Sequence, residues 1–316
     1  MKILLLGKNG QVGQALQRTL APLGELVALD RSQGSDGLCG DLSQPECLAA
    51  TIRQLRPDVI VNAAAYTAVD KAESEPEQAW RINAHAPEVL AREAEALGAW
   101  LVHYSTDYVF NGSGTEPWQE TDPTAPLNVY GQSKLEGELR VQAACTQYLI
   151  FRTSWVYAAH GSNFAKTMLK LAQERERLTV IDDQWGAPTG AELIASVTAA
   201  TLQKVTAKED AKQDANHDAN LKEIAGIYHL VAAGETHWHA YASHVINQAK
   251  VLRPDMPWAV REIAAVPSSA FVTAAQRPPN SRLNTHKLQA AFGISLPDWQ
   301  QGVDSLLAEI LIEKHT

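Results

Sequence analysis

The segment Lys2-Ile-Leu-Leu-Leu-Gly7-Lys8-Asn9-Gly10-Gln11-Val12-Gly13 joins an apolar run of strand length to a glycine-rich turn. A helical pattern follows, in which Val12, Leu16 and Leu20 recur on one face. Glycines allow a tight turn whose backbone amides approach a pyrophosphate, and the helix N-terminus then faces the phosphates with its positive dipole end. The spacing is G-x-x-G-x-x-G, for which an ordinary strand-to-helix turn is the alternative interpretation. We expect a dinucleotide site here that includes Gly7, Gly10, Gln11, Val12 and Gly13.

The same strand-to-helix order recurs along the first half of the chain. Apolar runs indicate strands near residues 3–6, 26–30, 59–63, 101–104 and 148–152. Helical patterns lie at 12–21, 45–55, 76–97 and 129–145. Strands that are apolar throughout are typical of a parallel sheet covered on both faces. We therefore expect an α/β fold of the Rossmann type, a doubly wound parallel sheet with ligands at the carboxyl ends of its strands.

The pattern changes near residue 153, where prolines and tryptophans become more frequent and the connections lengthen. Residues 1–153 are predicted to form a dinucleotide-binding domain, joined by a helix near 190–206. Residues 154–316 are predicted to be mainly a smaller substrate-binding region that ends in an amphipathic helix over 297–311. The polar, low-complexity stretch 206–222 is predicted to be a solvated extension without chemistry.

Composition restricts the class of protein. With 316 residues, 45% of them hydrophobic and 20% charged, the chain has the composition of an ordinary globular protein. It has no apolar run of about 20 residues, so we expect no membrane span. A net charge of −9 argues against nucleic-acid binding and means that an anionic ligand needs a local cationic pocket. Three cysteines without metal-site spacing are consistent with a cytoplasmic protein.

Polar and small residues follow the strand ends. Asp30 ends the second predicted strand, where an acid accepts hydrogen bonds from the adenosine ribose and favours NADH. Arg31 can pair with a 2′-phosphate, so NADPH stays open, and a turn role for Asp30 is the alternative. Asp41 and Leu42 are predicted to line the adenine pocket. After the third strand comes the run Ala63, Ala64, Ala65, Tyr66 and Thr67. Its three alanines allow a flat ligand to lie against the backbone, and tight helix–sheet packing is the alternative explanation for them.

Tyr130 and Lys134 stand four residues apart in a predicted helix, so their side chains lie on one face. An ammonium beside a phenol favours the phenolate and lowers the tyrosine pKa from about 10. Such a phenol exchanges a proton with a carbonyl or alcohol oxygen near neutral pH. Thr106 and Asp107 follow the fourth strand, where they can bind the same oxygen and a sugar hydroxyl. A chance pair on a solvated helix, and a helix cap at 105–107, are the alternatives.

Together these features resemble the extended short-chain dehydrogenase/reductase superfamily. Within it, the segments 105–110, 126–131, 152–157, 163–169, 183–190 and 277–283 closely resemble the dTDP-4-dehydrorhamnose reductase family. The resemblance covers nearly the whole chain, except mainly 206–222. It implies that NADPH or NADH reduces the C4 keto group of dTDP-4-dehydro-L-rhamnose, the last step of dTDP-L-rhamnose synthesis.

The resemblance also implies roles for individual residues. Tyr130 would be the proton donor, Lys134 its tuner and a nicotinamide-ribose ligand, and Thr106 would steady the reacting oxygen. Thr106 and Asp107 would contact the sugar, and Trp155 would pack against the sugar nucleotide. The implied ligands of the diphosphate are Asn163, Lys166, Arg277 and Arg282. For Lys166 and Arg277 a role as ordinary surface cations is equally open.

Some alternatives to this reaction stay open. The 4,6-dehydratases of the superfamily carry a glutamate base directly after the aspartate that corresponds to Asp107, whereas Tyr108 stands here, which favours simple reduction. Another nucleotide-sugar reductase or epimerase of the same fold is the first alternative. A non-catalytic regulatory subunit, like that of methionine adenosyltransferase, is the second.

The family has also been associated with Mg²⁺ that glutamates hold at a dimer contact. Glu192 and Glu309 match two of these positions, and Ala15 stands at the third. A hard cation loses affinity as carboxylates are removed. We therefore expect a weakened or absent Mg²⁺ site, and a monomer or weak homodimer.

Overall fold

The computed structural model describes residues 1–32, 37–210 and 224–312, with the side chains of 207–210 left aside. Its strands are β1 (Lys2–Leu6), β2 (Glu25–Leu29), β3 (Val59–Asn62), β4 (Trp100–Thr106), β5 (Tyr148–Thr153), β6 (Val156–Tyr157), β7 (Arg177–Ile181), β8 (Trp185–Gly186), β9 (Thr189–Gly190), β10 (Gly226–His229), β11 (Thr236–His237) and β12 (Glu262–Val266). Its helices are α1 (Gln11–Leu20), α2 (Pro45–Leu55), α3 (Val69–Ala72), α4 (Pro76–Trp80), α5 (Ala86–Leu97), α6 (Val129–Ala144), α7 (Phe164–Glu174), α8 (Ala191–Asp210), α9 (Trp238–Leu252), α10 (His286–Phe292) and α11 (Trp299–Leu311).

Six strands form one parallel sheet in the order β10-β5-β4-β3-β1-β2. The chain leaves β1 for β2 on one side and then crosses to β3 on the other, so the order reverses between β1 and β3. This reversal creates a crevice at the carboxyl ends of the strands, where doubly wound folds bind their ligands. The predicted Rossmann-type fold is confirmed, and each predicted strand end lies within two residues of the observed one.

Helices cover both faces of the sheet. On one face, Leu16 of α1 packs with Ile194 of α8 against the sheet. On the other face, α2 and α5 contribute Leu48 and Leu90 to a second core. Burial on both sides explains why the sheet strands carry apolar residues rather than an alternating pattern.

One predicted helix is broken. The pattern over 76–97 predicts a single helix, but α4 and α5 are separated by the π-helical turn Arg81–His85. Pro87 explains the break because proline lacks an N–H group and its ring clashes with the carbonyl four residues earlier, that of Asn83. The displaced Asn83 carbonyl rests on Gly137 of α6, where a Cβ atom would lie 2.1 Å from that oxygen.

The C-terminal half contributes both to the sheet and to a separate core. β10 forms one edge of the sheet, and α8 and α10 pack onto it, so segments on both sides of residue 153 build this layer. α7, α9 and α11 enclose a third core around Tyr241 and Val303. The predicted C-terminal helix corresponds to α11, and most of the stretch 206–222 lies outside the described residues. Among the helices described here, none is long and apolar enough to cross a membrane.

Candidate active site

The turn after β1 is built so closely that only glycine fits. Gly7 has φ +85°, and a Cβ atom there would lie 2.8 Å from the Ala64 backbone nitrogen. A Cβ atom on Gly13 would lie 2.0 Å from the Gly7 carbonyl oxygen. The Gly10 N–H donates to that same oxygen at 3.0 Å. α1 begins at Gln11, so its first N–H groups face the crevice in the way a pyrophosphate requires.

The end of β2 carries both an acid and cations. The Asp30 carboxylate accepts the Ser32 N–H at 2.7 Å and the Asn9 amide, and these hydrogen bonds lower its pKa, the Ser32 backbone bond most. Lys8 Nζ lies 3.9 Å from the same carboxylate. The exposed Arg31 lies near enough to act on Asp41. An adenosine ribose and a 2′-phosphate would each find partners here.

Asp41 and Leu42 differ in environment. Burial raises the pKa of Asp41, but hydrogen bonds from Ser43 and Gln44, with the charge of Arg31, more than offset this and lower it. Leu42 is buried in the core with residues of β1 and β3. Its side chain therefore packs mainly in the protein interior.

The small-residue run after β3 is held against the helix that carries Tyr130. The Tyr66 N–H donates to Asn83 Oδ1 at 2.8 Å, and Asn83 Nδ2 donates to the Tyr66 carbonyl at 3.0 Å. Asn83 Nδ2 also lies 3.0 Å from Ser133 Oγ on α6. Ala63, Ala64 and Ala65 come directly after β3, and the Ala64 backbone lies against Gly7 of the glycine turn. Thr67, the last residue of the run, is exposed.

Thr106, Tyr130 and Lys134 converge at the carboxyl end of β4. Thr106 ends that strand, and α6 starts at Val129 under the Asn128 cap, whose Oδ1 accepts the Gly131 N–H at 2.8 Å. The Thr106 hydroxyl donates to Asp107 Oδ1 at 3.1 Å and lies close enough to the Tyr130 phenol to lower its pKa. Lys134 on α6 reaches the same strand end, where its Nζ donates to the Tyr104 carbonyl at 2.6 Å.

The pKa values in this cluster differ from those that the helix spacing predicts. Burial raises the pKa of Tyr130 to about 12, against the lowering effect of the Thr106 hydrogen bond. Lys134 Nζ donates to the Tyr104 carbonyl at 2.6 Å, and burial lowers its pKa to about 8. The expected lowering of the tyrosine pKa by Lys134 is thus wrong in this arrangement. Tyr130 holds its proton at neutral pH.

Asp107 is a buried carboxyl beside this pair, only 2% exposed. Burial raises its pKa to about 7, although hydrogen bonds from Ser281 and Thr106 oppose this. Among the described residues, its Oδ2 has no hydrogen-bond partner. Because the Thr106 hydroxyl donates to Oδ1 at 3.1 Å, Oδ2 is the acceptor that remains for a ligand.

Trp155 follows β5 in a strained conformation. Its φ is +48°, which is rare for a bulky residue and typical of functional sites. Its indole stacks on Trp238 with 3.7 Å between ring centroids. On the other side, Gly186 leaves room for the ring, since a Cβ atom there would lie 2.9 Å from Trp155 Cε2.

Of the four residues predicted to bind the diphosphate, Asn163 and Lys166 are neighbours, whereas Arg277 and Arg282 bind carboxylates elsewhere. Asn163 caps α7 and donates to Gln11 Oε1 at 3.1 Å, beside the start of α1. Lys166 Nζ nearby donates to the Ala159 and Gly161 carbonyls. Arg277 binds Asp70 at 2.7 Å and lies against Tyr108, whereas Arg282 binds Glu235 at 2.6 Å and covers the ring of Trp185.

Comparison with known proteins places the chain. Residues 1–312 match the RmlD substrate binding domain family. The chain is 56% identical over 310 residues to the dTDP-4-dehydrorhamnose reductase of Escherichia coli K12, with 98% of each chain covered. The chain belongs to the dTDP-4-dehydrorhamnose reductase family.

Solved structures of the family agree over the full length. The Clostridium acetobutylicum enzyme has a TM-score of 0.84 at 31% identity and covers 99% of this chain and 100% of its own. The Bacillus anthracis enzyme, in complex with NADP, has a TM-score of 0.81 at 31% identity and covers 98% and 99%. The family assignment therefore applies to the whole fold and not only to the glycine turn.

The residues at the Mg²⁺ positions of the dTDP-4-dehydrorhamnose reductase family differ in their surroundings. Glu192 and Glu309 line one cavity of about 330 Å³ between α8 and α11, but Glu192 is paired with Arg18. Ala15 is buried in the core. Within the described ranges, no group of three or more His, Cys, Asp or Glu could hold a metal ion.

Sequence reasoning missed several residues that shape the site in this family member. Tyr108 packs edge-on against Tyr130, with 5.7 Å between ring centroids, and touches Arg277. Asn62 and His103 are buried in β3 and β4 next to Lys134. The available signal was a polar residue within an otherwise apolar strand, since such residues are buried only with hydrogen-bond partners.

Proposed function

We propose that this protein uses NADPH or NADH to reduce the C4 keto group of dTDP-4-dehydro-L-rhamnose to dTDP-L-rhamnose. The observation that carries the proposal is the placement of Tyr130 beside Thr106 and near buried Lys134, at the carboxyl end of β4 in the parallel sheet. This geometry places a proton donor where the fold binds ligands. Membership of the dTDP-4-dehydrorhamnose reductase family supports the choice of substrate.

The dinucleotide would be held by the glycine turn and the neighbouring strand ends. The first turn of α1 receives the pyrophosphate, with Gly7, Gly10, Gln11, Val12 and Gly13 as its contacts. Asp30 and Arg31 take the adenosine ribose, and Asp41 and Leu42 border the adenine. The loop after β3 borders the nicotinamide half through Ala63, Ala64, Ala65, Tyr66 and Thr67. The bound dinucleotide supplies the hydride for C4.

Tyr130 gives the proton to the C4 oxygen. Its raised pKa keeps the phenol protonated at neutral pH, as a proton donor must be. The Thr106 hydroxyl donates to the same oxygen and stabilises the negative charge that develops there. Once Tyr130 has lost its proton, the ammonium form of Lys134 stabilises the phenolate, and it also binds the nicotinamide ribose.

The substrate would lie between the two halves of the chain. Asp107 accepts a sugar hydroxyl through its unpartnered Oδ2, and Trp155 packs against the sugar. Arg277 and Arg282 bind the diphosphate from the C-terminal side. Asn163 and Lys166 lie near Gln11, so they approach the diphosphate of the substrate from the cofactor side.

We also infer that cofactor and substrate are bound mainly by different parts of the chain. Residues 1–153, with α8, bind the dinucleotide, and 154–316 mainly bind the nucleotide sugar. Because Ala15 stands at one of the three metal positions and Glu192 is paired with Arg18, which leaves Glu309, we infer a monomer or weak homodimer that works without Mg²⁺. Light scattering and turnover in EDTA test this, and a dimer that EDTA dissociates would contradict it. We also infer a cytoplasmic location, which is consistent with the three free cysteines.

The proposed function is tested by following NADPH and NADH absorbance with enzymatically prepared dTDP-4-dehydro-L-rhamnose. We expect oxidation of at least one cofactor, and a product identical to dTDP-L-rhamnose by chromatography. A second 4-keto nucleotide sugar with a different base serves as the specificity control. Folded protein that binds NADPH but oxidises neither cofactor with this substrate would contradict the proposal.

A further inference from the structure

We propose that His103 is a positioning residue of the reduction, which it influences by presenting its Nε2–H to the Nζ atom of Lys134. The inference rests on the proposed function, because Lys134 acts in that reaction. A series of polar contacts limits where the hydrogen of the His103 imidazole can lie. These contacts connect Ala64, beside the glycine turn, to Asn62, then to His103 and finally to Lys134.

Asn62 and His103 are opposite each other in the sheet. They are register partners in β3 and β4, and each is 1% exposed. Both interrupt strands that are otherwise mainly apolar. Burying an amide and an imidazole costs free energy unless each finds hydrogen-bond partners, so the bonds they make determine their roles.

The bonds fix the hydrogen on the imidazole. Asn62 Oδ1 accepts the Ala64 N–H at 3.2 Å, so the amide nitrogen Nδ2 is the atom that faces His103 Nδ1 at 3.1 Å. Nδ1 must therefore accept. Burial, with the charge of Lys134, holds the pKa of His103 well below its ordinary value, so the ring is neutral. A neutral imidazole carries one hydrogen, which here lies on Nε2.

Nε2 points at the lysine. It lies 3.3 Å from Lys134 Nζ, which also donates to the Tyr104 carbonyl. A neutral amine has a lone pair that can accept the Nε2–H, whereas an ammonium has none. His103 therefore favours the neutral amine and opposes the charged form, in addition to the effect of burial.

The other charges near Lys134 act differently. Glu138, one turn further along α6, favours the ammonium, but Arg152 of β5 binds its carboxylate at 2.7 Å. Tyr130 lies one turn earlier and is neutral, and Asp107 lies beyond the Thr106 hydroxyl. On β4, His103 is thus the titratable group in direct contact with Nζ.

Two substitutions distinguish the contributions of the two ring nitrogens of His103. In His103→Asn, the amide replaces the Nδ1 end, which keeps the partner of Asn62 and removes the contact with Lys134. In His103→Gln, the amide replaces the Nε2 end, and its oxygen can turn towards the ammonium. Both remove the Nε2–H, so both should favour the charged lysine.

The readout is the alkaline limb of kcat against pH, where reduction falls as Lys134 loses its proton. We expect the limb to move to higher pH by about 0.5 to 1 unit, more in His103→Gln than in His103→Asn. His286→Gln, on an exposed residue at the start of α10, should leave the limb in place. Limbs that superimpose on wild type, or that move to lower pH, would overturn the inference.

A second measurement needs no turnover. Long-range proton–nitrogen NMR of the imidazoles, with His103 assigned by its absence in His103→Gln, reports which nitrogen carries hydrogen. The Nε2–H form is expected in wild type, and the Nδ1–H form would overturn the inference. If wild type fails to oxidise NADPH with the substrate, the proposed function fails, while the NMR result still decides how His103 faces Lys134.

Discussion

Two groups of polar residues differ in their surroundings. The first, the buried cluster, consists of Thr106, Asp107, Tyr130 and Lys134. The second, which we call the cationic rim, consists of Lys166, Arg277 and Arg282. In the cluster, burial moves the pKa of Tyr130 to about 12 and of Lys134 to about 8. In the rim, the two arginines already hold carboxylates of the protein, and Lys166 holds two carbonyls.

The difference concerns what each region can contribute to the reaction. Buried groups that are desolvated interact strongly, so the cluster can change the energy of a proton transfer. Ion pairs with access to water are worth little, so a rim arginine can exchange a protein carboxylate for a ligand phosphate at small cost. Within the cluster, Thr106, Tyr130 and Lys134 should therefore determine kcat, whereas the rim should determine KM for the nucleotide sugar. Asp107, which binds a sugar hydroxyl, should contribute to KM as well.

The largest effect should come from Tyr130→Phe, which removes only the phenolic oxygen from the cluster. We expect kcat to fall about 10³-fold because no other group is placed to give the proton. NADPH binding, followed by fluorescence titration, should stay close to wild type. A variant that retains kcat but raises KM would break the contrast between cluster and rim.

Gly13→Ala tests whether close packing alone matters as much as charge. The added Cβ atom would lie 2.0 Å from the Gly7 carbonyl oxygen, so the turn must move. Overpacking typically costs about 1–3 kcal/mol, which corresponds to a loss of NADPH affinity of about 5- to 150-fold. Gly10→Ala, whose Cβ atom would lie 3.3 Å from the same oxygen, should lose less. Equal losses in a titration of both variants would refute this explanation.

The cluster could be predicted from sequence to a larger extent than the rim. Apolar runs located the strand ends and a helix spacing located Tyr130 and Lys134, because local patterns determine both. The direction of the Tyr130 pKa shift could not be predicted, since burial determines it and no local pattern reports burial. The partner of Arg277 could not be predicted either, because Asp70 lies 207 positions away in the chain.

Arg277→Ala should have a smaller effect, confined to substrate binding. The side chain is 27% exposed and already paired with Asp70, so its loss should raise KM for the nucleotide sugar by about 10-fold with kcat nearly unchanged. Arg261→Ala is the matched control, because Arg261 forms an exposed pair with Glu176 far from the site. A fall in kcat as large as that of Tyr130→Phe would place Arg277 in the chemistry instead.

Asp107→Asn should have the smallest effect of these substitutions. Unlike the others, which cause a loss, it should increase the stability of the folded protein. The carboxyl has a pKa of about 7 in the folded protein against 3.8 in an unfolded chain, so the folded state binds more protons between these values. Its stabilising contribution is therefore present at low pH and lost as pH rises through 7. Asparagine carries no charge to bury, so Tm should rise by about 2–4 °C at pH 8 and by less at pH 5, while substrate affinity falls. Asp298→Asn, on an exposed cap that asparagine fills equally well, should leave Tm unchanged. A Tm gain for Asp107→Asn that does not depend on pH would show that packing, rather than the buried charge, distinguishes the cluster from the rim.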